Sequence, residues 1–158
     1  MKLILFLLFP LLLTAQTSLE SIRKAYPLAG QTAQNAESFI KLVAKGGENS
    51  VTDGYKAASQ IIKAKFESGN NRRSILTNGI KSLEKAIASD PSEFELRLIR
   101  LSIQENLPGI VGYKSNLKED KNFLVKNIGQ QNSSLKTYAK GFIANSKSFS
   151  AAEKSAIK

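Results

Sequence analysis

The chain has 158 residues, 23 basic against 13 acidic side chains and a formal charge of +10, with no His, Cys or Trp and a single Met. Without His or Cys the usual zinc, copper and haem sites cannot be built, nor can a Ser-His-Asp triad or a Cys-His pair. No disulfide can form, so stability must come from packing.

The amino terminus reads as an export signal. Lys2 supplies the positive charge, Leu3 to Leu13 is an apolar run broken only by Pro10, and Thr14-Ala15-Gln16 ends it with small and polar residues. The run is about 11 residues, short of the roughly 20 that cross a bilayer as a helix. We expect cleavage after Ala15, leaving 16–158 as a single soluble all-helical domain, periplasmic or secreted. No cysteine is present to carry a lipid.

Helical spacing runs through the rest. Thr17-Ser-Leu-Glu20 has capping-box spacing and opens a first helix that Pro27 is expected to stop near Tyr26. A second spans roughly 30–45, with Ala33, Ala36, Phe39, Ile40 and Val43 on one face and Gly46-Gly47 beyond its end. The third opens at Ser50-Val-Thr-Asp53 and aligns Val51, Tyr55, Ala58, Ile62 and Phe66, stopping at Gly69-Asn70-Asn71. The fourth, about 72–88, aligns Leu76, Ile80, Leu83 and Ile87. Asp90-Pro91-Ser92-Glu93 starts the fifth, with Asp as cap and Pro at the first helical position, and Pro108-Gly109 follows its end near Asn106. Asn116-Leu-Lys-Glu119 opens a sixth, to about Ile128. A seventh, near 133–145, buries Leu135, Tyr138, Ala139, Phe142 and Ile143. Ser150-Ala-Ala-Glu153 caps a short terminal helix that is nearly free of apolar residues and prone to fray. Short connections predict an all-α fold of antiparallel helical hairpins, about six to seven helices in a bundle or short stack.

Gly79, Leu83, Ala86 and Pro91 stand at the spacing of the second half of a tetratricopeptide repeat. The stretch resembles such a helix pair, which implies stacked hairpins and, by analogy, protein binding. The first half departs from the pattern: its expected aromatic, Leu, Gly and Tyr fall on Lys63, Phe66, Glu67 and Asn70. The segment Leu96 to Ile103 also resembles one found in helical proteins that bacteria secrete.

Three places could carry a site. On the fifth helix Leu96, Leu98, Ile99, Leu101 and Ile103 cover most of the circumference, which makes it central. Glu93, Arg97, Arg100 and Gln104 form one narrow polar stripe there. The preferred reading is a water-facing strip with a Glu93–Arg97 ion pair. The sharper reading is a groove floor offering two guanidiniums to an anionic group. Tyr113, after the Pro- and Gly-bearing loop 106–113, could line a pocket beside it. The third candidate is the outer face of the seventh helix, with Lys136, Lys140 and Lys147. Nine lysines against three acidic residues in 111–158 concentrate the positive charge there.

Ser-x-x-Lys occurs six times, as chance allows in a chain rich in both, and the companion motifs of Ser-Lys hydrolases are missing. The chain therefore reads as non-catalytic, with no cofactor or metal. We expect a helical module that binds a protein or peptide of the cell envelope, an acidic one being favoured by the basic surface, with no nucleic acid and no membrane span. The alternative is a carrier of a small or lipidic anionic ligand held near Arg97, Arg100 and Tyr113. An enclosed cavity would favour the carrier; an open apolar groove would favour the module.

Overall fold

The computed structural model describes residues 18–157; the leader expected at 1–15 and the cap expected at Thr17 lie outside them. Eight α-helices and no strand form among these residues: α1 (Leu19–Ala29), α2 (Ala33–Ala44), α3 (Ser50–Lys63), α4 (Gly69–Ser89), α5 (Phe94–Asn106), α6 (Leu117–Asn127), α7 (Ser133–Asn145) and α8 (Ala151–Ile157). The protein is all-α, as its periodicity predicts. Successive helices fold back as hairpins, with α1 on α2, α2 on α3, α3 on α4 and α5 on α6.

The helix starts follow short polar side chains, with small shifts. Ser18, Thr32, Asn49 and Asn132 each accept a hydrogen bond from the backbone N–H three residues on, capping α1, α2, α3 and α7. The α3 cap is thus Asn49, one residue before the expected Ser50. Pro27 does not stop α1. It lies inside the last turn and withholds one N–H, while its fixed φ suits a helix, so the chain continues to Ala29 before Gly30. At the end of α3 the backbone tightens into a 3-10 turn, Ala64–Phe66. Three residues per turn rotate Phe66 off the buried face, and it is exposed rather than core. Gly69-Asn70-Asn71 is the first turn of α4, not a stop. Asp90 is not the cap of α5. Residues 90–93 close a turn through Glu93 N–H to the Asp90 carbonyl (3.1 Å), and Glu93 caps the helix by accepting from Glu95 N–H.

The hydrophobic residues of α5 divide between two clusters. Leu96, Ile99 and Ile103 pack with Phe39, Tyr55, Leu83 and Ile87 of α2, α3 and α4. Phe94, Leu98 and Leu101 pack with Leu124, Leu135, Ala139 and Ile143 of α6 and α7. Each set repeats at helical spacing, so α5 has two apolar faces and is the central helix. A close approach lies between α3 and α4. A Cβ on Gly79 would lie 2.7 Å from Ile61 Cγ1 and 3.1 Å from the Ile61 backbone nitrogen, so only glycine lets the helices meet there.

Candidate functional site

The polar stripe of α5 does not face water. Arg100 and Gln104 are buried and Arg97 nearly so. The reason is α6, which lays its first turn across the stripe and brings carboxylates with it. Arg100 donates from Nε and Nη2 to the two oxygens of Asp120, each at 2.7 Å, and from Nη1 to Glu84 of α4 at 2.9 Å. The Arg–Asp geometry is bidentate, the form a planar guanidinium favours. Arg97 pairs with Glu119 (2.7 Å) and Asp120 (3.1 Å), and the expected Glu93–Arg97 pair gives way to these. Tyr113 donates its hydroxyl to Glu84. Gln104 reaches Asn116 through Nε2 (3.4 Å), and its buried Oε1 has no partner among the described residues.

Arg97, Arg100, Gln104 and Tyr113 are thus brought to one seam, and its anions are the chain's own. Three carboxylates answer two guanidiniums. Burial works against the Arg100 charge, but the Asp120 hydrogen bond and the Asp120 and Glu84 charges outweigh it and raise its pKa. Tyr113 is held protonated first by burial and then by its bond to Glu84. Asn116 and then Arg97 pull the Glu119 carboxyl below the ordinary range.

A second buried network lies on the other side of α5 and was not anticipated from residue spacing. Glu95 is buried and accepts from Arg23 of α1 at both oxygens (2.7 and 2.6 Å) and from the Tyr55 hydroxyl (2.7 Å). Tyr138 of α7 meets Tyr55 at 3.4 Å, and Arg23 reaches Ser134 at 3.5 Å. Burial, the largest cause, leaves the Tyr138 hydroxyl pushed up to about 12. An acidic residue at a helix start reads as cap chemistry, which hides a role of this kind.

Open hollows lie on either side of α8. One, about 410 Å³, is lined by Lys140, Ile143 and Ala144 of α7 and Ala151, Lys154, Ser155 and Ile157 of α8. The other, about 330 Å³, is lined by Val125, Ile128, Gly129, Lys136, Lys140, Ala156 and Ile157. Lys140 and Ile157 border both. Two of the three lysines picked out on the seventh helix thus rim a groove with an apolar floor, whereas Lys147 lies past the end of α7 and outside it. Lys154 and Ile157 were missed, because the terminal segment reads as polar and loose. Ser150 and Glu153 exchange the expected capping bonds (3.3 and 2.8 Å), and Lys121 secures the helix further by holding Glu153 at 2.8 Å. These bonds, Lys121 first, draw the Glu153 carboxyl down to about 2.

No cluster of three acidic side chains among the described residues is placed to hold a metal ion. No helix among them is long and apolar enough to cross a membrane. No protein family, no curated protein and no solved structure matches the chain.

Proposed function

We propose that the chain is an exported, non-catalytic helical module that binds an acidic, partly apolar segment of another envelope protein in the groove beside α8. The observation that carries this reading is the chemistry of the groove: Val125 and Ile157 offer apolar surface above the buried Ile128 and Ile143, and Lys136, Lys140 and Lys154 form a rim with no carboxylate among the described lining residues. Such a surface suits a segment that alternates apolar contacts with Asp or Glu. The hollows open outward, which suits a chain lying along the surface better than a sequestered small ligand. The helical hairpins and the tetratricopeptide-like spacing of 79–91 support a binding scaffold by analogy. The export reading rests on the leader sequence alone.

A photo-crosslinker at Ala144, in the groove, and another at Thr77, on the exposed side of α4, test this in the cell that makes the protein. The expected result is a discrete adduct from Ala144 alone, lost when Lys136, Lys140 and Lys154 are all changed to Glu with helicity intact. Equal adducts from both positions, or an Ala144 adduct indifferent to the charge reversal, would sink the reading.

A further inference from the structure

We infer that the loop between α5 and α6 is a membrane-interface anchor that inserts Ile110 into an anionic bilayer surface. The inference is independent of the groove. Ile110 is 96% exposed, the most exposed large apolar side chain among the described residues. It stands in Leu107-Pro-Gly-Ile-Val-Gly-Tyr113, where the tyrosine hydroxyl is the only polar side-chain group. That hydroxyl is turned inward to Glu84.

The loop satisfies part of its backbone from within, while the Gly109 and Ile110 N–H groups take no partner among the described residues. Unpaired amides are costly in lipid. Here Val111 N–H bonds the Pro108 carbonyl (3.1 Å), Gly112 N–H bonds the Gly109 carbonyl (3.0 Å), and Leu107 N–H bonds the Ile103 carbonyl (3.0 Å), while Pro108 has no N–H to satisfy. Gly112, at φ +71, turns the chain back toward α6. The tip is therefore a closed 3-10 turn, Gly109–Val111, presenting one branched apolar side chain.

Charge selects the occupant. Residues 107–118 contain Lys114 and Lys118 and no acidic residue, and neither lysine forms an ion pair among the described residues, whereas the part-exposed Glu84 and Glu119 that flank the loop are already paired with Arg100 and Arg97. An apolar tip beside unpaired lysines matches the order of a bilayer, acyl chains under anionic head groups. A protein partner would need an interface of about 1,000 Å² with directional polar contacts, and between Leu107 and Gly112 no side chain can make one.

The test uses the mature protein as recovered from cells, with vesicles of phosphatidylglycerol and phosphatidylethanolamine against vesicles of phosphatidylcholine. The chain has no tryptophan, so Ile110→Trp gives a single reporter. Its emission should shift to the blue with the anionic vesicles only. Ile110→Glu should weaken co-sedimentation by about tenfold or more, the scale of one branched aliphatic side chain leaving an apolar phase. Leu28→Glu, at another exposed apolar site, should leave it within about twofold, as surface substitutions away from the contact do. Because Ile110 is almost fully exposed, the variants keep the fold, which circular dichroism checks. An unshifted emission from the Ile110→Trp variant, equal losses from Ile110→Glu and Leu28→Glu, or no vesicle binding by the unaltered protein would each overturn the inference.

Discussion

The two sides of α5 hold a buried charge of opposite sign and complete it differently. Toward α1 and α3, Glu95 takes both bonds of a single cation, Arg23, and a neutral hydroxyl from Tyr55. Toward α4 and α6, Arg100 faces two carboxylates, Asp120 and Glu84, with Glu119 and Arg97 beside them. The first network is balanced and has one cation. The second is redundant and reaches the surface through Glu84 and Glu119, whose side chains are 39% and 58% exposed. Removing one partner of a buried pair strands the other, and the penalty depends on whether a substitute partner is at hand. The balanced side should therefore be brittle and the redundant side tolerant.

The largest effect should come from Arg23→Met, which leaves Glu95 with only a hydroxyl. We expect a loss of about 3–5 kcal/mol in denaturant unfolding, the usual scale for a broken buried pair. Adding Glu95→Gln should recover part of it, since the stranded charge is then gone. Asp120→Asn should lose less, about 1.5–3 kcal/mol, the scale of charge-assisted hydrogen bonds, because Arg100 keeps Glu84. A loss from Asp120→Asn equal to or larger than that from Arg23→Met would break the comparison.

Next in size is an alkaline effect shared by both sides. All four tyrosines have raised pKa values, each chiefly through burial. A raised folded-state pKa means that the unfolded chain loses its protons first. The stability is complete below the ordinary phenol pKa, about 10, and falls as pH rises above it. Absorbance of tyrosinate should show no step near that value and should appear together with loss of helicity. A clear step at about pH 10 in a fully helical protein would show that the hydroxyls are wetter than their contacts imply.

The smallest effect should be at the surface. Lys121→Ala removes the partner of Glu153, a half-buried carboxyl at the surface. The global unfolding midpoint should not move, whereas α8 amides should exchange faster with solvent. The same loosening should follow acidification. The Glu153 carboxyl is depressed, so its contribution is present above its ordinary value of 4.5 and is lost as pH falls toward about 2. Unchanged exchange in α8 would mean that Ile157 alone seats the helix.

Where sequence and structure part is instructive. Helix positions were legible within a few residues because the signals are local: hydroxyl and amide caps, apolar spacing, and Pro and Gly between elements. The shifts came where local chemistry has two uses. Asp90 could cap a helix or close a turn, and Pro27 could stop a helix or ride in its last turn. Lys136 and Lys140 stood out as an outer basic face, but the groove they rim exists only once α8 docks.

The amino-acid order by itself determined that this protein is helical and that α5 is central. Those properties follow from the period of the apolar residues. Tertiary structure alone decided what the polar residues do. Asp120 lies twenty positions from Arg100, and Glu95 seventy-two from Arg23. A charged stripe has the same spacing whether water or another helix covers it. Only packing brings the opposing carboxylate or guanidinium, and with it the difference between a wet face and a buried network.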